Sequence, residues 1–248
     1  MNNESRRRSI SPSSPVDPSV VRVLRALDPI ARGAHCDYCV VGATARDLIL
    51  VNVHGLRPGR TTRDIDFGIA VESWDQFARL KEGLVGTGAF TSDPRMLQRL
   101  IYSATAPDFS IPVDLIPFRG VASADSTIGW PPSRDIVMNV AGFEEALSSS
   151  VLMEIQESLA VHIASIPGLT LLKLMAWLGR GRENNKDAAD LYQLFTTYAD
   201  AGNTDRLYDH KMDLLETVGF DIELAGAELL GRDVADISQL ERWRRFRR

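Results

Sequence analysis

The most informative segment of this 248-residue chain is RDIDFGIAV, residues 63–71. Within it, Ile65 and Phe67 begin a strict alternation of apolar residues that is typical of a β-strand. Side chains two positions apart on a strand share a face, so Asp64 and Asp66 are expected to project together. Two neighbouring carboxylates repel each other unless a cation intervenes, and oxygen ligands suit Mg²⁺. Because Asp-x-Asp also occurs on plain exposed strand faces, the motif alone leaves both interpretations open.

A second motif lies upstream, in VVGATARD at residues 40–47. The pattern predicts a strand, a turn at Gly42 and the start of a helix, and Thr44 and Asp47 have the spacing of a capping box. Such a junction directs backbone N–H groups and the positive end of the helix dipole at a ligand, for which a triphosphate is the natural candidate. A plain strand-to-helix turn is the alternative.

A third motif is the apolar strand IPVDLIPF, residues 111–118, which a single aspartate interrupts. Burying one unpaired carboxylate costs several kcal/mol, so Asp114 needs a partner or a metal ion. Beside Asp64 and Asp66 it completes a predicted three-carboxylate metal site. A surface aspartate on an edge strand is the alternative.

The C-terminal third contains a lysine on an apolar helical face. Leu169 and Trp177 are helical neighbours of Lys173, so the ammonium group must reach solvent or find an acid. On the next predicted helix, Asp187 and Asp190 share a face. A Lys173 pair with either aspartate is expected to join the two helices and direct the ammonium toward the sheet, and a purely structural ion pair is the alternative.

Hydrophobic periodicity predicts an α+β fold, a mixed β-sheet with flanking helices followed by a helical C-terminal region. The predicted organisation is a disordered tail over 1–18, an α/β domain over 19–166, a helical domain over 167–240 and a basic tail over 241–248. Helices are expected at residues 18–31, 45–51, 74–85, 168–178, 185–198, 205–218 and 222–230, with a last one from 234. Strands are expected at 38–41, 63–71, 97–103, 110–118, 150–155 and 159–166, with a loop over 119–135.

The composition excludes several classes of protein. Hydrophobic residues make up 44% and charged residues 25% of the chain, as in ordinary globular proteins. No apolar run approaches the roughly 20 residues of a membrane helix, and the first residues do not resemble a secretory signal peptide. Cys36 and Cys39 are the only cysteines, which excludes a disulfide scaffold and favours a cytoplasmic location.

The net charge of −5 conceals two basic ends. Eight arginines lie within residues 6–8 and 242–248; without them and the adjacent Glu4 and Glu241, 20 basic residues face 31 acidic ones. Basic tails on an acidic body predict binding of a polyanion through the tails. Arginines that only keep the ends soluble are the alternative.

Together these motifs resemble the nucleotidyltransferase fold of the polymerase-beta superfamily. The segments VVGATARDLIL, RTTRDIDFGIAV, VDLIPF, LTLLKLMAW, KDAADLYQL and ELLGRDVAD are similar to the AbiEii/AbiGii nucleotidyltransferase toxins of bacterial type IV toxin–antitoxin systems. The resemblance runs from about Val20 to Asp236. The turn departs from the usual Gly-Gly or Gly-Ser, since Ala43 follows Gly42, and the gap from Gly42 to Asp64 is longer than in compact members.

The resemblance implies transfer of a nucleoside monophosphate from a nucleoside triphosphate (NTP) to an acceptor hydroxyl, with release of pyrophosphate. Two Mg²⁺ ions are expected on the three aspartates, with Asp114 nearest to a general base. The glycine turn and Lys173 are expected to hold the phosphates, with Arg46 as a further contact and Asp187 or Asp190 orienting the lysine. The predicted site residues are Gly42, Ala43, Thr44, Arg46, Asp64, Asp66, Asp114, Lys173, Asp187 and Asp190.

The acceptor implied by the resemblance is RNA, at the 3′ end of tRNA, with a cognate antitoxin as a further partner and no membrane. Trp243 and Phe246 lie between arginines in the tail and are suited to stacking on bases. Two other functions remain open: a small-molecule nucleotidyltransferase of the antibiotic-modifying type, and a non-catalytic nucleotide-binding module.

Overall fold

A computed structural model describes residues 9–60, 62–103, 110–180 and 185–238. An eight-stranded mixed sheet forms its centre, in the order β1-β9-β10-β2-β3-β6-β5-β4, beside a two-stranded antiparallel sheet of β7 and β8. The strands are β1 (Ser9–Ile10), β2 (Asp37–Val41), β3 (Ile65–Val71), β4 (Phe90–Ser92), β5 (Arg99–Tyr102), β6 (Ile111–Arg119), β7 (Thr127–Gly129), β8 (Val137–Asn139), β9 (Val151–Gln156) and β10 (Leu159–Ile163).

Helices cover both faces of the large sheet. They are α1 (Pro18–Gly33), α2 (Gly42–Asp47), α3 (Trp74–Gly86), α4 (Phe143–Ser148), α5 (Ile166–Arg180), α6 (Lys186–Thr197), α7 (Thr204–His210), α8 (Met212–Thr217) and α9 (Ile222–Ile237). Helix α2 continues directly as a π-helix over Leu48–Val53. In the described part of the chain, none of the helices combines the length and apolar character needed to cross a membrane.

Strand alternation assigns the two faces of the sheet. Phe67 is fully buried and packs edge-on against Tyr38, whose hydroxyl donates to Asp28 of α1. Helices α1 and α3 therefore cover this face, where they also contact each other. The opposite face carries Asp66 and Gly68, and Phe143 of α4 lies against Gly68. The polar face of β3 is thus enclosed by α4 and by the C-terminal helices that pack on it.

The C-terminal helices share the core of the sheet. Helix α5 contacts α4, α2 and β8, and it also packs against α6 and α9. Ile166 and Leu169 of α5, with Leu229 and Leu230 of α9, belong to the same buried apolar cluster as Phe67 of β3. The core is therefore continuous across residue 167, where the sequence pattern changes from mixed α/β to helical.

The predicted α+β class is confirmed, with a mixed sheet, flanking helices and a helical C-terminal region. Helices α1, α3, α5 and α6 and the antiparallel pair β9–β10 lie close to their predicted positions, because their hydrophobic patterns are long and regular.

Several elements differ from the prediction. Residues 9–17, expected to be disordered, include β1, which adds to β9, and Ser13, which donates to the Asn52 carbonyl oxygen; residues 1–8 lie outside the described part. The expected loop over 119–135 contains β7, and the helix expected over 205–218 is divided into α7 and α8. Conversely, α9 joins the two helices expected at 222–230 and from 234, since Gly231 does not interrupt it.

The burial of the central strands predicts that alanine substitutions at two leucines will differ strongly in their effect on stability. Leu115 of β6 is fully buried, whereas Leu178 of α5 is 74% exposed. Because a buried Leu→Ala change leaves a cavity, L115A should lower the free energy of unfolding by about 2–5 kcal/mol. The matched L178A variant should change it by about 0.5 kcal/mol or less. Urea titration measures both; equal effects would contradict the assignment of β6 to the core.

Candidate active site

One row of residues crosses four adjacent strands at the polar face of the sheet. Val41 of β2 pairs with Asp66 of β3, Asp66 pairs with Asp114 of β6, and Asp114 pairs with Arg99 of β5. The strand registers therefore bring together residues that are far apart in the sequence. Two of the predicted carboxylates are directly opposite each other on parallel strands.

Asp64 lies beside this row of residues, although it is not part of strand β3. It immediately precedes the strand, which begins at Ile65 rather than at Arg63 as the alternation predicted. Carboxylate oxygens of Asp64, Asp66 and Asp114 all lie within 4.8 Å of one another, as a metal site requires. The side chain of Asp64 is 39% exposed and that of Asp114 is 12% exposed, so the cluster opens toward solvent at Asp64.

The electrostatics of the cluster are concentrated on Asp66. Burial, followed by the charges of Asp64 and Asp114, raises the pKa of the Asp66 carboxyl to about 7. The positive charges of Lys173 and Arg99 act in the opposite direction. Without a bound cation, the folded protein thus opposes a third negative charge at this point.

The glycine turn lies against Asp66. Gly42 has a φ of +67°, and a Cβ built on it would lie 2.1 Å from Asp66 Oδ2. A side chain at this position would therefore have to displace the central carboxylate, and only glycine combines the backbone conformation with the close approach. The first N–H groups of α2 begin directly beside the carboxylate cluster.

The predicted capping box is wrong. Helix α2 begins at Gly42, three residues before the predicted start, and among the described residues no side chain caps it. Thr44 Oγ1 instead donates a 3.4 Å hydrogen bond to the Asp64 carbonyl oxygen. The threonine thus links α2 to the residue that precedes β3. The N–H groups of the first helical turn have no acceptor within the helix, and no capping side chain within the described ranges supplies one.

Lys173 lies between two buried aspartates. Its Nζ is 3.0 Å from Asp187 Oδ1 and 2.6 Å from Asp190 Oδ2, so both of the partners that the sequence left open are used. Both aspartates are 2% exposed, whereas the lysine side chain is 17% exposed. The ammonium group is held at the inner surface of α5, close enough to Asp66 to lower the pKa of its carboxyl.

Arg46 does not fit its expected role as a phosphate contact. It is 2% exposed, and its three guanidinium nitrogens bind Asp47, Asp190 and the Arg60 carbonyl oxygen. The Arg46 Nη1–Asp190 Oδ1 distance is 2.6 Å. Arg46 thus ties α2 to α6 and fixes the aspartate that holds Lys173, because the periodicity of the short helix turns its side chain inward.

A cavity of about 630 Å³ opens between the polar face of the sheet and α5. Its polar end contains Gly42, Asp66, Asp114, Lys173 and Asp187. Its other walls are mainly apolar, with the amides of Gln98 and Asn139 as exceptions; the apolar wall residues include Met96, Ile116, Met138, Phe143, Leu172 and Met175. The polar end combines carboxylates, one ammonium group and a glycine turn, which suits a polyphosphate with bound cations.

Arg99 was missed by the sequence analysis. Its Nε and Nη2 donate 2.7 Å hydrogen bonds to Asp114 Oδ1 and Oδ2, and Nη2 lies 3.8 Å from Asp64 Oδ2. The available signal was a single arginine at the start of an apolar strand. That signal does not reveal which strand lies alongside, so it could not identify the partner.

The mixed sheet presents three carboxylates beside a glycine turn, and a comparison with known families identifies the class of protein to which this site belongs. The family model for the nucleotidyl transferase AbiEii toxin of type IV toxin–antitoxin systems matches residues 25–248. The chain therefore belongs to the AbiEii nucleotidyltransferase family. A search of curated proteins gave no match.

Distant similarities to solved structures accompany the family match. A nucleotidyltransferase-like antigenic protein from Paracoccidioides brasiliensis has 14% identity and a TM-score of 0.49, over 86% of this chain and 95% of that one. ANT(2")-Ia in complex with adenylyl-2"-tobramycin has 12% identity and a TM-score of 0.42, over 86% and 98%. The Thermotoga maritima CCA-adding enzyme in complex with tRNA has 14% identity and a TM-score of 0.28, over 84% and 52%.

The raised pKa of Asp66 predicts a specific pH dependence of stability. In metal-free protein the folded state retains a proton at Asp66 between the ordinary carboxyl pKa of 3.8 and about 7, whereas the unfolded chain has released it. The free energy of unfolding therefore falls as pH rises through this interval. D66N removes the titration, so its thermal midpoint should exceed that of the unchanged protein by an amount that grows from about pH 5 to about pH 7.

Differential scanning calorimetry in EDTA measures this comparison. The expected result is two curves that separate with rising pH and then run parallel above about pH 8. A constant difference across the whole interval would show that Asp66 titrates as an ordinary exposed carboxyl.

Proposed function

We propose that the protein transfers a nucleoside monophosphate from an NTP to an acceptor hydroxyl, with Asp64, Asp66 and Asp114 as ligands of Mg²⁺. The observation that carries this proposal is the convergence of their oxygens within 4.8 Å, with Asp66 and Asp114 at the polar end of the cavity. Hard carboxylate oxygens are the donors that Mg²⁺ prefers, and the ion commonly shares its coordination with substrate phosphates. Two bound ions would neutralise the triphosphate and activate the acceptor oxygen.

The chain's own groups would position the substrate at this end. The N–H groups of Gly42, Ala43 and Thr44 begin α2 beside Asp66 and are proposed to bind the β- and γ-phosphates. Lys173 adds a fixed positive charge, because Asp187 and Asp190 restrict its ammonium group. Asp114 is proposed to accept the proton of the acceptor hydroxyl.

The proposed acceptor is RNA, at the tRNA 3′ end, in a cytoplasmic toxin-like enzyme with a cognate antitoxin. Membership of the AbiEii toxin family supports this choice. The basic segment 241–248, which lies outside the described residues, would supply phosphate contacts. A small-molecule acceptor is the second candidate, since an acidic cavity of about 630 Å³ also suits a cationic compound.

Transfer chemistry can be tested with purified protein, total bacterial tRNA, Mg²⁺ and each α-labelled NTP in turn. The D64A/D66A variant should lose label transfer by about 100-fold or more, because several kcal/mol of charge stabilisation disappear. The matched D75A/E82A variant removes two exposed carboxylates from α3, on the other face of the sheet, and should retain transfer.

The class of acceptor is identified by the same labelling assay, with an aminoglycoside in place of tRNA, together with a test of growth on expression. Label in the tRNA band only with the active protein would support RNA as acceptor. Transfer to an aminoglycoside without growth arrest on expression would instead favour the small-molecule reaction. Full transfer by D64A/D66A would contradict the proposed metal ligands.

RNA binding by the C-terminal tail is tested separately through its salt dependence. Deletion of residues 241–248 should weaken tRNA binding and reduce the slope of log K against log salt by about 3 to 4, if its five arginines each neutralise one phosphate. W243A/F246A retains all the arginines, so it should weaken binding without changing the slope. Filter binding over a salt series gives both values; an unchanged slope after deletion would exclude the tail as the RNA contact.

A further inference from the structure

Arg99 occupies the oxygens that a metal ion at Asp114 requires. Its two 2.7 Å hydrogen bonds use both carboxylate oxygens, and the same Nη2 reaches toward Asp64 at 3.8 Å. The geometry is fixed by the sheet, because Arg99 and Asp114 are direct partners in the antiparallel register of β5 and β6. Arg99 is thus an internal cation within the carboxylate cluster.

This pair is strong enough to compete with a metal ion. Paired N–H···O bonds between a guanidinium and a carboxylate are short and charge-assisted, and arginine does not lose its charge in proteins. The side chain of Asp114 is only 12% exposed, so water screens the pair weakly. A cation that binds Asp114 therefore competes with Arg99 for the same two oxygens, and a guanidinium displaced from them requires another anion.

The triphosphate is the anion that would become available in the same cavity. Met96 and Gln98, close to Arg99 in the chain, both line the cavity, and the Arg99 side chain is 20% exposed. A phosphate group offers a guanidinium the same bidentate geometry as a carboxylate. Because Asp114 itself lines the cavity, a guanidinium that leaves this carboxylate lies beside the proposed phosphate position.

Building on the proposed function, we propose that Arg99 is a positioning residue that couples nucleotide binding to metal binding. In the free enzyme it holds Asp114 and keeps the affinity for divalent cations low. When the nucleotide enters, Arg99 moves from Asp114 to the triphosphate and leaves Asp114 available as a ligand. Metal and nucleotide therefore bind with positive coupling, and by linkage each raises the affinity of the other by the same factor.

The alternative role for Arg99 is purely structural, as a bond that holds the short strand β5 against β6. The two roles predict opposite effects on the free enzyme. Loss of a competing cation raises metal affinity, whereas loss of a strand contact leaves metal affinity unchanged or lowers it through disorder of Asp114.

The test is Mn²⁺ binding to the nucleotide-free protein, followed by the electron paramagnetic resonance signal of free Mn²⁺. R99Q should bind Mn²⁺ about 10-fold more tightly than the unchanged protein, within the usual range of coupling between sites. R99K keeps the charge but places it on one ammonium group, so a smaller increase is expected. R95Q removes the same charge from an exposed neighbouring position and should show no comparable increase.

The titration is then repeated with a non-hydrolysable NTP analogue, after correction for Mn²⁺ bound by the analogue itself. The unchanged protein should gain Mn²⁺ affinity with the analogue, and R99Q should lose most of that gain. Far-UV circular dichroism establishes that each variant is folded, and R99K provides the comparison if R99Q is not.

The outcomes separate this inference from the function on which it rests. Equal or weaker Mn²⁺ binding by folded R99Q and R99K, with measurable binding to the unchanged protein, overturns the role of Arg99 and leaves the metal site intact. Absence of Mn²⁺ binding in all variants, with and without the analogue, overturns the metal site itself and the coupling with it.

Discussion

The repulsion between Asp66 and Asp114 is the constraint around which the rest of the site is arranged. Parallel pairing of β3 and β6 places these two carboxylates directly opposite each other, and Asp64 adds a third carboxylate within 4.8 Å. Such a cluster is unfavourable in a folded protein unless positive charge lies nearby. Arg99 on the neighbouring strand and Lys173 on α5 supply that charge. The sheet and the helical region therefore each contribute one cation to the carboxylate cluster.

A second, buried network fixes the position of Lys173. Asp187 and Asp190 hold its ammonium group, and Arg46 holds Asp190 from the other side. Buried ion pairs contribute little net stability relative to apolar residues, because desolvation offsets their attraction, but breaking one leaves a costly unpaired charge. Their consequence here is geometric: α2, α5 and α6 are held in a relative arrangement that directs one lysine toward the carboxylates.

The sequence predicts those structural features for which a short repeat or a single chemical requirement is sufficient. The alternation in residues 63–71 predicted β3, and the isolated Asp114 in an apolar run predicted a partner for that carboxyl. The Lys173 pairing followed because a lysine on an apolar helical face has few other solutions. By contrast, Thr44 and Asp47 matched a capping box only in spacing, since α2 begins earlier and its threonine bonds to Asp64.

Local pattern and burial cost in the sequence identify three carboxylates, a lysine and a glycine turn as the candidate site residues. The partners of these side chains depend on how the strands and helices pack together. Strand register placed Arg99 opposite Asp114, and the ion pair between α2 and α6 makes Arg46 a support for Asp190 instead of the expected phosphate contact. Hydrophobic periodicity specifies which face of a strand or helix is buried. The identity of the neighbouring residue depends instead on strand order and helix docking, which no local segment encodes.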